Sequence, residues 1–215
     1  TVAGTGQQLR TTADAEAGAL SSPWDVTLLD DTLYVAMAGS HQIYSVRTDG
    51  TELRVHTGNR REALGDGPLG EATLAQPMAI TAHARTLYFA DAETSAIRIA
   101  DVARDGEVRT IVGTGLFDFG NRDGVSDEVR LEHPQGLSRM SDGRLLIADS
   151  YNDALKWLDP ATRRVTTWVR GFAEPGAVVC GERFAYVADT NAHRVCAVDY
   201  ATGDVRDVTI ALSEP

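Results

Sequence analysis

The chain has 215 residues, of which 20 are Lys or Arg and 31 are Asp or Glu, so its formal net charge at pH 7 is −11. A surface of that sign repels phosphate backbones and anionic lipid headgroups, which argues against nucleic-acid and membrane partners. No apolar run approaches the roughly 20 residues needed to span a bilayer, and the start Thr1–Gly6 lacks the regions of a signal peptide, so a cytoplasmic location is favoured.

The first predicted element is a leading strand at residues 1–6, which begins Thr1-Val2-Ala3. Four similar units follow, and each opens with an apolar residue three positions before a proline. Further runs rich in β-branched and aromatic residues come after the proline, so we expect four strands per unit. The units correspond to predicted blades at about 20–58, 74–113, 131–171 and 172–212, within one domain that spans residues 1–215.

The spacing inside the units is nearly constant, whereas the spacing between them is not. The proline and the glycine that closes the fourth strand are 35, 36 and 37 residues apart in the first three units (Pro23 to Gly58, Pro77 to Gly113 and Pro134 to Gly171). The stretches that join the units span 19, 21 and 4 residues. A constant four-stranded sheet with variable connections is typical of a β-propeller, in which each blade buries its faces against its neighbours.

The turn between the second and third strands carries a recurring pattern of Ala-Asp, a polar turn and a branched apolar residue. It occurs at 148–155 and 188–195 and more weakly at 90–97, whereas Met37 replaces the aspartate in the first unit. With this pattern in register, the chain resembles the NHL-repeat family of β-propellers over nearly its whole length. The strand that ends in Val-Gly-Thr-Gly at 112–115 makes it most similar to the propeller of thioredoxin-linked members of that family.

This resemblance implies an all-β fold in which the four blades belong to a six-bladed ring. Four blades can close as an unusual ring or remain an open arc, and we favour the arc. An open arc exposes apolar faces and unpaired strand edges, which recruit other chains. A homo-oligomer formed through the open end blades is therefore one expected assembly.

In a propeller, the first strand of each blade lines the central channel, and the long loops and the second-to-third turns open on one face. Binding residues concentrate on loops that a rigid scaffold positions. The candidate binding residues on this loop face are Trp24, His41, Asp66, Met78, Asp123, Gln135 and Tyr151. We expect a protein or peptide partner there and no cofactor.

Asp91, Asp149 and Asp189 each end the second strand of their blade, and this in-register repetition favours a structural role. We interpret them as turn caps that accept hydrogen bonds from N–H groups of the turn that follows. Cys180 and Cys196 are expected to be reduced, buried thiols, because a third strand lies between their strands and separates them too widely for a disulfide.

No catalytic or metal-binding motif is found in the sequence. The five histidines include no His-x-x-x-His pair, the acidic loop at 118–127 does not fit an EF-hand, and Gly-x-Ser-x-Gly is absent. The sequence therefore favours a non-catalytic binding or scaffold propeller. Two alternatives stay open: part of a propeller enzyme of the metal-dependent hydrolase, lactonase or lyase type, and an accessory domain of a thioredoxin-like oxidoreductase.

Overall fold

The computed structural model describes residues 1–8, 10 and 18–209, which form four antiparallel sheets, each one blade. Blade 1 comprises β1 (Pro23–Leu29), β2 (Thr32–Met37), β3 (Gln42–Arg47) and β4 (Arg54–Thr57). Blade 2 comprises β5 (Gly67–Pro68), β6 (Pro77–His83), β7 (Thr86–Asp91), β8 (Ala96–Asp101) and β9 (Glu107–Val112). Blade 3 comprises β10 (Gly124–Val125), β11 (Pro134–Arg139), β12 (Leu145–Asp149), β13 (Ala154–Asp159) and β14 (Arg164–Arg170). Blade 4 comprises β15 (Pro175–Cys180), β16 (Phe184–Asp189), β17 (Arg194–Asp199) and β18 (Val205–Asp207).

The four main strands of every blade pair antiparallel in chain order, which confirms the predicted propeller of four four-stranded blades. The two-residue strands β5 and β10 add a fifth, outer strand to blades 2 and 3, where they pair with β9 and β14. Both come from the long joining loops. These loops therefore run along the outer edge of the following blade and cover backbone groups that would otherwise be unpaired there.

The first strand of each blade starts at one of the four repeated prolines, and the pairing register shifts directly after it. Proline has no N–H group to contribute to a sheet, so it is tolerated at the first residue of a strand. The register shift is a β-bulge, which bends the strand at its entry into the blade. The repeated proline thus marks the point where the chain enters a new blade.

A single 3-10 turn followed by one left-handed residue joins the second and third strands of every blade. The left-handed residues are His41, Ser95, Asp153 and His193, with φ between 49° and 54°. Residues of this conformation reverse the chain within a short turn. Within the described ranges no helix is long and apolar enough to cross a membrane.

The hydrophobic core lies between the blades. We call the face of a blade that contacts the preceding blade its leading face, and the face toward the next blade its trailing face. At the joint between blades 3 and 4, Leu146 and Ala148 of the trailing face pack with Val178 and Val187 of the leading face. Equivalent clusters join blades 1 and 2 and blades 2 and 3, so each sheet buries both faces only when it has two neighbours.

The two outermost faces remain exposed. On the trailing face of blade 4, Tyr186 is 43% exposed, whereas Leu146 at the same position of blade 3 is fully buried. On the leading face of blade 1, Val26 is 53% exposed, whereas Ile80 at the same position of blade 2 is 3% exposed. The four blades therefore form an open arc and not a closed ring.

The leading strand predicted at residues 1–6 is not present, and this expectation is wrong. The segment forms no strand, and the first β-pairing in the described part of the chain is an isolated bridge between Gln8 and Leu20. A fourth-strand sequence needs the third strand of its own blade as a partner for its N–H and C=O groups. No strand in the described ranges occupies that position beside residues 1–6.

Candidate functional site in the central channel

The four inner strands β1, β6, β11 and β15 line a central cavity of about 320 Å³, as the propeller prediction requires. The residues that directly follow the four prolines take part in its lining: Trp24, Met78, Gln135 and Gly176. Three of the seven predicted binding residues are thereby brought together from three different blades. The strand bulge after each proline positions these residues in the same way in every blade.

These lining residues differ in what they offer to a ligand. Trp24 is 59% exposed, so much of this aromatic residue is available for contact. Met78 is mostly buried, because it packs between Ala38 and Ala92 of the turns in blades 1 and 2. Gln135 is half-buried and carries an amide next to the bare backbone of Gly176. The available chemistry is thus one aromatic surface and one amide.

Asp25 is a channel residue that the sequence analysis did not select. Its Oδ2 accepts a hydrogen bond from the N–H of Ile80 on blade 2 at 2.8 Å, and its Oδ1 accepts one from the N–H of Val26 at 2.8 Å. Burial raises the pKa of this carboxyl, while the two N–H donors act in the opposite direction. Asp25 is the only acidic residue in the four inner strands. This single carboxyl among strands that otherwise contain no Asp or Glu was the signal in the sequence.

A second side chain bridges two inner strands in the same manner. Ser138 Oγ on blade 3 accepts a hydrogen bond from the N–H of Cys180 on blade 4 at 3.0 Å. Both bridges join a side chain of one blade to the backbone of the next. Hydrogen bonds between inner strands therefore fasten the channel wall at the joint of blades 1 and 2 and at the joint of blades 3 and 4, which is a suitable basis for a preformed binding site.

His41 and Tyr151 lie on the loop face but outside the cavity lining. His41 Nδ1 accepts a hydrogen bond from the N–H of Gln76 on blade 2 at 3.2 Å, which requires the tautomer protonated at Nε2. Tyr151 stacks on His133, with ring centroids 4.4 Å apart, and remains half-exposed. His41 therefore joins two blades, whereas Tyr151 adds an aromatic surface beside the channel.

Asp66 and Asp123 were predicted as binding residues, but the structure engages both inside the molecule. Asp66 accepts hydrogen bonds from the N–H of Thr110 at 2.9 Å and from its hydroxyl at 2.8 Å. Asp123 makes the same two contacts with Thr167, each at 2.8 Å. Each aspartate fastens a joining loop to the outer strand of the next blade, so neither points into the channel.

The three aspartates predicted as turn caps have different partners, and the capping interpretation is wrong. None of the three carboxylates accepts a hydrogen bond from a backbone N–H of the turn that follows it. Each Oδ1 instead accepts the N–H of the residue two positions before the proline of its own blade, at 2.6 to 2.8 Å. Each Oδ2 forms an ion pair with a cation at the start of the third strand: Arg98, Lys156 and Arg194. Each carboxylate therefore binds the segment that enters its blade and a cation of the third strand, and not the backbone of the turn.

The two cysteines are unbridged, as predicted. Cys180 on β15 is half-buried and Cys196 on β17 is fully buried, with β16 between them. Across the part of the chain that the structure describes, no three His, Cys, Asp or Glu side chains lie close enough to hold a metal ion. Asp25 is the one ionisable group in the lining of the central cavity.

Comparison with known proteins gives several relatives in sequence, although no family model matches the chain. NHL repeat-containing protein 2 from Bos taurus is 33% identical over 267 residues, which cover 100% of this chain and 36% of that protein. Protein SUPPRESSOR OF QUENCHING 1, chloroplastic, from Arabidopsis thaliana is 35% identical over 88% of this chain and 20% of its own length. The chain thus spans well under half the length of the curated relatives that it matches.

Solved structures show the same architecture. A chain in the crystal structure of a nidogen/laminin complex has a TM-score of 0.68 and 21% identity, over 87% of this chain and 63% of that chain. An auxiliary nutrient binding protein from Bacteroides ovatus has a TM-score of 0.64 and 14% identity, over 89% of this chain and 49% of its own. At such identities the likeness shows the fold alone. Together with the sequence relatives and the repeated Ala-Asp turns, it establishes that the chain belongs to the NHL-repeat β-propellers.

Proposed function

We propose that the chain is a non-catalytic binding propeller whose central channel receives a basic side chain of an extended protein or peptide segment. The observation that carries this proposal is the exposed indole of Trp24 in the same cavity as the Asp25 carboxylate. An aromatic face attracts Lys and Arg side chains. A carboxylate that already accepts two N–H groups still has lone pairs for a charged donor.

The size and the charge of the site support a peptide partner. A cavity of about 320 Å³ has room for one or two side chains and not for a folded domain. The net charge of −11 favours the approach of a cationic segment. The open side of the arc lets such a segment enter without threading through a closed ring, because both end faces are exposed.

The same lining argues for binding over catalysis. A hydrolase or lyase needs a nucleophile, a base or a metal in a mutual arrangement around the reacting atoms. In the cavity Asp25 is accompanied by Thr, Ser and Gln side chains and apolar groups. Its carboxylate is bonded to the backbone of blades 1 and 2, which suits a fixed recognition group.

Isothermal titration calorimetry tests the proposal with a short peptide alternating arginine and serine, at physiological ionic strength. We expect saturable binding, and Trp24→Ala should lower the association constant about tenfold. Phe117→Ala is the matched control, because Phe117 is an exposed aromatic residue of a joining loop outside the cavity lining. Equal binding by both variants, or equal binding of a glutamate and serine peptide, would contradict the proposal.

A further inference from the structure

Every internal joint between blades contains the same hydrogen bond. The left-handed residue of one blade accepts, through its side chain, the N–H of the residue before the proline of the next blade. The pairs are His41 with Gln76 at 3.2 Å, Ser95 with His133 at 3.3 Å, and Asp153 with Glu174 at 2.9 Å. We call this hydrogen bond the joint latch. It occurs with three different acceptor side chains, so the backbone geometry of the joint specifies it.

Both halves of a fourth latch exist at opposite ends of the arc. His193 of blade 4 occupies the acceptor position with φ 54°, and its imidazole has no partner among the described residues. Ser22 of blade 1 occupies the donor position. Its φ of 48° is close to the values of the internal donors Gln76 and Glu174, which are 60° and 49°. The N–H of Ser22 therefore has the orientation that is latched at the internal joints.

A second polar contact at the joint is also left open on blade 4. Ser150 Oγ of blade 3 donates a hydrogen bond to the carbonyl oxygen of Pro175 at 2.7 Å. Thr190 is the equivalent residue of blade 4 and is exposed, and among the described residues its hydroxyl donates a hydrogen bond only to the carbonyl of Ala188 in its own blade, at 3.4 Å. The carbonyl of Pro23 corresponds to that of Pro175, so the hydroxyl of Thr190 fits it in the same way.

The apolar surfaces at the two ends match each other as well. Val179 and Tyr186 are exposed on the trailing face of blade 4, and Val26 and Leu28 are exposed on the leading face of blade 1. At the internal joints, the trailing face of one blade packs against the leading face of the next blade and forms the core. One end thus offers the trailing half of a propeller joint and the other end offers the leading half.

We propose that two copies of this chain associate head to tail, with the trailing face of blade 4 of one copy on the leading face of blade 1 of the next. The contact continues an interface that the molecule already forms three times internally, and His193 and Thr190 of one copy bind Ser22 and Pro23 of the other. A head-to-tail contact is heterologous, so it extends beyond a dimer unless the rotation closes a ring.

Analytical ultracentrifugation of the 215-residue chain over a range of concentrations tests this assembly. We expect the average mass to rise with concentration above the 23.1 kDa of the monomer. Tyr186→Glu and Leu28→Glu should each weaken association at least about tenfold, because each buries a charge in an apolar joint. Both residues are surface-exposed within one copy, so circular dichroism should show unchanged folding. Phe117→Glu, in an exposed loop, is the control and should associate like the wild type.

Mixing the two charged variants distinguishes the head-to-tail arrangement from a symmetric one. An equimolar mixture should form a heterodimer and nothing larger, because one intact trailing face meets one intact leading face. His193→Ala should weaken the wild-type association about threefold to tenfold by removing the latch acceptor. Homodimers of either variant would reveal a symmetric contact and overturn the proposal. A wild-type chain that stays monomeric over the whole concentration range would also overturn it.

Discussion

Asp149 and Lys156 form an ion pair in which both side chains are fully buried, with Oδ2 and Nζ 2.8 Å apart. Lys156 is the only lysine of the chain, so its one ammonium group lies inside a blade and not on the surface. Blade 2 has the pair Asp91 and Arg98 at the same sheet positions. In blade 1 those positions hold Met37 and an aromatic residue, so the sheet accommodates an ionic or an apolar pair.

Removal of one partner should therefore be far more damaging than replacement of both. Lys156→Met leaves the buried carboxylate of Asp149 without a counter-charge, and we expect a loss of about 3–5 kcal/mol in the free energy of unfolding. The double variant Asp149→Met with Lys156→Tyr copies the residues of blade 1 and should lose less than Lys156→Met alone. Urea denaturation followed by circular dichroism measures both. A double variant as unstable as Lys156→Met, or less stable, would refute this account.

The repeat predicted the blades because its signals are local. Each proline, each Ala-Asp turn and each closing glycine acts within a few residues, so their spacing indicates four sheets directly. The role of the buried aspartates was missed although the sequence contains a signal: the cation follows seven residues after Asp91 and Asp149, and Met37 is followed by Tyr44 at the same interval. This interval reflects the pairing of the second and third strands across their turn.

The channel site depends on contacts that local patterns do not contain. Asp25 and its hydrogen-bond donor Ile80 are 55 residues apart, and they meet only because blade 2 stacks on blade 1. The partners of the loop aspartates could not be predicted for the same reason. Asp66 reaches Thr110, 44 residues away, because the joining loop runs along the outer edge of the sheet and not above the channel. Such positions follow from the packing of whole blades.

The Asp66 clamp should make stability depend on pH. Burial acts to raise the pKa of Asp66, but the N–H and hydroxyl of Thr110 and the guanidinium of Arg98 together lower it below the ordinary 3.8. Because this pKa is lowered in the folded state, Asp66 contributes fully to the free energy of unfolding at pH values above its pKa in the unfolded chain. That contribution disappears as the pH falls through its pKa in the folded protein. Asp66→Ala should cost about 1–2 kcal/mol at neutral pH, since the carboxylate is partly exposed to solvent.

Urea denaturation of the wild type and of Asp66→Ala at a series of pH values from neutral downward measures this dependence. The difference in the free energy of unfolding between the wild type and Asp66→Ala should shrink below about pH 4, where carboxylates take up protons. Glu182→Ala removes an exposed carboxylate that has no partner in the described part of the chain and should leave the free energy of unfolding unchanged. A difference for Asp66→Ala that stays constant with pH would exclude an electrostatic clamp.

The two thiols should differ in reactivity. Burial is the main reason that the pKa of Cys180 and the pKa of Cys196 are both raised, so little reactive thiolate forms at mildly alkaline pH. Cys180 is half-buried and should react slowly with a thiol reagent in the native protein, whereas the fully buried Cys196 should react only on unfolding. In Cys180→Ser the remaining thiol should therefore be labelled at the rate of unfolding in urea. Rapid labelling of that variant without urea would show that β17 is accessible.

The joint latch gives a prediction with a matched control in the same chain. His41→Ala removes the acceptor of the Gln76 N–H at a partly buried joint, and an unpaired donor there should cost about 1–2 kcal/mol in the free energy of unfolding. His193 has the same left-handed backbone and the same place in its blade, but its imidazole has no partner among the described residues. His193→Ala should therefore leave the stability of the dilute monomer unchanged. Urea denaturation at a concentration where the chain is monomeric compares the two variants. An equal loss in the free energy of unfolding in both would mean that the histidine supports the backbone conformation of its turn and not the contact between blades.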